Sequence, residues 1–132
     1  MGRFLDNIQK LFLGEGDHDV ITYETMKAYP LFKWESFING IKVLKVYDDG
    51  DNLVFLTHIP KGKKFGIHKH NCLERCFVVE GWLDDKLTKE QKIGGQVMTY
   101  PAHIAHEPLA KEDTILTVSF KRPLREPLNY VK

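Results

Sequence analysis

Cysteine is scarce in this chain: Cys72 and Cys76 are the only two among 132 residues. That count excludes a disulfide framework. In an extended segment their Cα atoms would lie about 13 Å apart, at roughly 3.3 Å per residue, too far for a bridge. Reduced thiols and a cytoplasmic location are therefore expected. An excess of charge is also missing. Lys and Arg number 19 against 18 Asp and Glu, a net charge of +1, so the overall balance points to no nucleic acid and no membrane as partner. No apolar run is long enough to cross a bilayer. Asp6, Asn7, Gln9 and Lys10 interrupt the apolar stretch that a secretion signal needs, and Asp6 stands where a myristoylation signal has Ser or Thr. A serine nucleophile array, a phosphate-binding glycine loop and a dinucleotide fingerprint are all absent. Any chemistry must come from other residues.

What remains has the composition of one ordinary globular domain, 42% hydrophobic and 28% charged. Residues 2–13 place Phe4, Ile8, Leu11 and Phe12 at helical spacing until Gly14 and Gly16 end the pattern. A short amphipathic helix is expected there, followed by a linker to residue 19. From about Val20 the signals turn to β. Residues 41–47 and 53–59 are rich in β-branched and aromatic types, with Asp-Gly hairpin chemistry in the DDGDN between them. Further strands are expected over 34–38, 64–70, 74–83, 96–100 and 114–120. Turns are expected at 84–85, 88–90, 94–95 and 110–113. Many short, closely spaced strands imply an all-β sandwich or barrel over 20–122, with an extended tail over 123–132.

The chemistry concentrates between Gly62 and Gly81. His68, His70 and Glu74 stand in a His-x-His-x3-Glu array. Residues two apart on a strand face the same side, so the two imidazoles project together, and a turn at Asn71-Cys72 can return Glu74 toward them. Two imidazole nitrogens and a carboxylate oxygen, each about 2.0–2.2 Å from one ion, suit zinc, iron, manganese or nickel. A third histidine follows in PAHIAH, at His103 or His106. The run Lys61, Lys63, Lys64 and Lys69 makes the approach basic, either as a solvated face or as an attraction for anionic substrates.

Gly62, five residues, His68-x-His70, three residues, Glu74, six residues and Gly81 resemble the first motif of the cupin superfamily. The second cupin motif is matched at Gly95, Pro101 and His106. It departs at His103, where the family has glycine, and at Ala110, where it has asparagine. The resemblance implies a small single-domain cupin, a jelly-roll barrel binding one divalent metal through His68, His70, Glu74 and His106. Cys76, His58, Tyr100 and His103 are candidate pocket residues. Glu74, on a labile bond, is a candidate base.

Such a site implies a metalloenzyme acting on a small molecule, with dioxygenase chemistry first and isomerisation second. The alternative is a non-enzymatic module that binds or senses a metal or small molecule. The resemblance and the apolar strands also imply a homodimer.

Overall fold

A computed structural model describes residues 19–124. The helix expected over 2–13 and the end of the tail lie outside these residues. The described chain runs β1 (Asp19–Ile21), α1 (Tyr23–Lys27), β2 (Trp34–Ser36), β3 (Lys42–Asp48), β4 (Asn52–Ile59), β5 (His68–His70), β6 (Leu73–Glu80), β7 (Trp82–Asp85), β8 (Glu90–Ile93), β9 (Val97–Tyr100), β10 (Pro108–Ala110) and β11 (Thr114–Lys121). A six-stranded sheet has the order β2-β3-β4-β11-β6-β9. A three-stranded sheet, β10-β7-β8, and a parallel pair, β1-β5, complete the jelly-roll barrel.

Strand alternation builds the core. In β4 the inward side chains are Leu53, Phe55, Thr57 and Ile59; in β11 they are Thr114, Leu116, Val118 and Phe120. All but the two threonines join Ile21, Leu83, Met98 and Ala110 from the other strands in one apolar cluster. Each large apolar side chain sealed there contributes about 1.5–3 kcal/mol. The β3–β4 hairpin turns where the Asp-Gly signal predicts. Asp49 Oδ1 accepts the Asp51 and Asn52 N–H groups at 2.9 and 2.7 Å, and Gly50 supplies a φ of 93°.

Two strand boundaries depart from the sequence reading, and three short elements were not expected. The single strand expected over 74–83 is broken at Gly81, whose φ is 112°. The chain there leaves the large sheet and enters the small one as β7. The strand expected over 64–70 contracts to His68–His70, with Lys64 making only an isolated bridge to Leu109. Helix α1 and strands β8 and β10 carry too few residues to show a period; α1 is set by Thr22, whose hydroxyl caps it by accepting Thr25 N–H at 3.2 Å. Among the described residues no helix is long and apolar enough to cross a membrane.

Candidate metal centre

β5 turns His68 and His70 into the barrel, both buried, and leaves Lys69 half exposed. His106 arrives from the loop before β10 and is fixed to His68 through the backbone. The His106 N–H donates to His68 O at 2.9 Å, and the His68 N–H donates to His106 O at 3.1 Å. Glu74 is the second residue of β6, also buried, and sits in register with Tyr100 of β9 and Phe120 of β11.

The outer nitrogen of each ring is already used. His68 Nδ1 lies 2.7 Å from Gly66 O, His70 Nδ1 2.9 Å from Ile21 O, and His106 Nδ1 3.0 Å from Ile104 O. A carbonyl only accepts, so each Nδ1 carries a proton, and in the neutral form of each ring the Nε2 holds the lone pair. One ligand atom from each of the three rings lies within 4.8 Å of the others. These three buried histidines are placed where they can hold a metal ion.

Glu74 Oε1 approaches the same space, 3.0 Å from His70 Nε2 and 3.1 Å from His106 Nε2. The separations are those of hydrogen bonds, but the alignment is not: Glu74 Oε1 and His106 Nε2 are buried without an aligned partner. Buried polar atoms are rarely left so. Lone pairs converging on one point are what a cation satisfies, so the residues fit a divalent ion with nitrogen and oxygen ligands.

Burial pushes His68 well below the usual histidine range, and the neighbouring His106 and His70 add to the shift. Burial works against the charge on Glu74, but His106 and His70 outweigh it and hold the carboxyl well below its usual range. For His106 burial pulls downward, and the Glu74 charge overcomes it to raise the value. The Cys76 thiol is pushed well up, first by burial and then by Glu74. It stays protonated and donates to Glu74 Oε2 at 3.1 Å. Both cysteines are free and buried, and burial raises Cys72 to about 12.

Tyr100 packs on His106 ring to ring, centroids 3.9 Å apart and planes 7° apart. Its hydroxyl donates to Asp85 Oδ2 at 2.7 Å. Asp85 is wholly buried and also accepts the N–H groups of Glu107, Leu87 and Thr88. Sequence reasoning placed Asp85 in a turn, which its bonds to Leu87 and Thr88 accord with, but missed its tie to the site, because Tyr100 and Glu107 come from β9 and from the loop after His106. Beside the histidines lies an apolar cavity of about 80 Å³, lined among others by Tyr29, Phe37, Phe55, Thr57, Cys76 and Phe120.

Two expected pocket residues stand elsewhere. His58 is half buried on the outer face of β4, opposite Lys42 and Ile115, because the inward face is taken by Thr57 and Ile59. His103 is exposed, with a φ of 67°, and reaches the site only through its N–H, which donates to His70 O at 2.7 Å. Lys61, Lys63 and Lys64 are exposed, and Lys64 pairs with Glu107 at 3.1 Å.

A family model described as the ChrR cupin-like domain matches residues 24–125. No curated protein matches the chain. Among solved structures, an RmlC-like cupin from Shewanella frigidimarina is 22% identical with a TM-score of 0.64, over 72% of this chain and 86% of that one. A chain from the structure of Rhodobacter sphaeroides SigE in complex with the anti-sigma ChrR is 20% identical with a TM-score of 0.62. That match covers 83% of this chain and 54% of the other, so this chain spans about half of it. An acetylacetone dioxygenase from Acinetobacter johnsonii is 12% identical with a TM-score of 0.60, over 70% of this chain and 72% of that one. These likenesses show the fold, which hosts many functions.

Proposed function

Because the chain belongs to the ChrR cupin-like domain family, we propose that it is a metal-dependent small cupin acting on a small molecule, as a dioxygenase first and an isomerase second. The observation that carries this reading is the set of three buried histidines, His68, His70 and His106, whose ligand atoms lie within 4.8 Å of one another beside an apolar cavity. His68, His70 and His106 would hold the ion, with Glu74 as a fourth, labile ligand. A bound divalent ion supplies Lewis-acid or redox chemistry and open positions for substrate oxygen.

The chain's own residues do the rest. Cys76 anchors Glu74 through Oε2 and leaves Oε1 directed at the histidines. Glu74, which lines the cavity, is the group placed to take a proton from a substrate there. Phe55, Phe120 and Phe37 surround that cavity and exclude water. Tyr100, stacked on His106, keeps the ring from turning. Two buried free thiols accord with a reducing, cytoplasmic setting, and a homodimer is the assembly we favour.

The test is anaerobic reconstitution with Fe(II), Mn(II) or Ni(II), followed by oxygen uptake with diketones, flavonols and thiols. Uptake dependent on one metal and one substrate class is the expected result. No uptake with any metal, together with tight binding of Zn(II) alone, would set oxygenase chemistry aside. The second reading, a metal- or ligand-sensing module, draws on the likeness to a chain from the SigE–ChrR complex. A sigma-factor or regulator gene beside this one would favour it.

A further inference from the structure

Two threonines turn inward on the large sheet, Thr57 from β4 and Thr114 from β11, and both are buried. The fold uses only one of them. The Thr114 hydroxyl accepts the Trp82 N–H at 3.1 Å and donates to Glu112 O at 2.8 Å, pinning the corner where β6 passes into β7. Thr57 is 3% exposed, yet among the described residues its hydroxyl makes no hydrogen bond. A buried hydroxyl without a partner costs stability. Valine has nearly the same outline and would escape that cost between the neighbouring strands' Leu116 and Val43. What Thr57 does meet is the apolar cavity, whose wall it forms in part.

We propose that Thr57 is a second anchor for the substrate, receiving the oxygen at the far end of a short aliphatic molecule whose other end meets the metal centre. The inference rests on the metal-dependent function above and narrows its substrates.

The sheet register places the two ends apart. Glu74 shares a row with Phe120 and Leu53, whereas Thr57 shares one with Leu116 and Val78. Inward positions recur every second residue, so Thr57 lies two rows along the sheet from Glu74 and two strands across. Cys76, Val118 and Phe55 fill the row between, and all three line the cavity. The cavity therefore runs from a polar end at His68, His70 and Glu74, past an apolar waist, to Thr57.

No charged side chain lines it beyond those three residues. A charge on the far end of the substrate would be buried unpaired. The far group is therefore a neutral oxygen, a hydroxyl or a carbonyl, because a threonine hydroxyl can both donate and accept. A cavity of about 150 Å³ takes up benzene, and this one holds about 80 Å³. A chain of about three to five carbons fits that space, and a fused-ring substrate such as a flavonol is shut out.

The Co(II)-loaded protein tests this, since its visible absorption reports groups arriving at the ion. The probes are butyrate, pentanoate and hexanoate with their ω-hydroxy counterparts, the carboxylate serving as the end that meets the ion. At one chain length the hydroxy acid should bind wild type about threefold to tenfold tighter than its parent acid. Thr57→Val should abolish that preference and bind the parent acid within about threefold of wild type, whereas Thr57→Ser should keep the preference. Metal-free Thr57→Val should also melt about 3 °C or more above metal-free wild type, having lost an unpaired polar group. No preference at any length, or one that survives Thr57→Val, overturns the anchor and leaves the metal centre standing. A Thr57→Val protein that melts lower shows that the hydroxyl already serves the fold, and overturns the anchor too. Failure of wild type to take up Co(II) overturns the proposed function, and the anchor with it.

Discussion

At the scale of single residues, His106 and His103 show how position decides what an imidazole does. Only two residues separate them, yet one is buried at the metal centre and the other is exposed in a left-handed conformation. The family's glycine at this position avoids the strain that a side chain incurs there, about 1 kcal/mol or more. His103→Gly is therefore expected to leave metal content unchanged and stability equal or higher by up to about 1 kcal/mol in urea titration. His106→Ala should abolish stoichiometric metal binding, measured by elemental analysis of the purified protein. Tyr100→Phe keeps the ring on His106 but leaves Asp85 Oδ2, wholly buried, short of one donor. It should cost about 1–3 kcal/mol. The His68, His70 and Glu74 array was legible because a strand's period of two dictates which side chains travel together. The Asp85–Tyr100 bond was not, because it joins different sheets and depends on a register that no local spacing encodes.

Single elements add two lessons about the same sheet. β4 is apolar on both faces, Leu53 and Phe55 inward, Val54 and Leu56 outward. Alternation alone could not say which face held His58; the pairing with β11 decided it. The β6–β7 corner turned on Gly81, where an added Cβ would come within 2.6 Å of Thr114 Cα and 2.7 Å of Asp113 O. With its φ of 112°, Gly81→Ala should cost at least about 2 kcal/mol, read as a drop in the urea midpoint. On the β3–β4 hairpin, Lys45 is 3% exposed, and its ammonium donates to Asp48 Oδ2 at 2.9 Å and to Lys27 O at 2.8 Å. The hydrogen bonds from Lys45 and then Lys27 hold the Asp48 carboxyl below its usual value. A carboxyl lowered on folding stabilises the protein above its unfolded pKa and loses that contribution as pH falls. The stability gap between wild type and Asp48→Asn should thus be full at neutral pH and shrink as pH falls below about 4. Thermal unfolding of both proteins across that range measures it.

For the whole molecule, a ligand that binds only the folded barrel stabilises it by mass action. Saturation at about a hundred times Kd adds about 2.7 kcal/mol. The wild type should gain thermal stability when the ion is added, and His68→Ala with His70→Ala should lose that gain. Should the metal-free variants also melt far below metal-free wild type, the two rings serve the fold as well as the ion. One bond extends this coupling along the chain. The carbonyl that sets the tautomer of His70 belongs to Ile21 of β1, the strand that pairs with β5. Seating that strand and filling the centre are thus two readings of one equilibrium, and each must favour the other by the same factor. A pull on β1 loosens the ion, and an ion in place fastens β1.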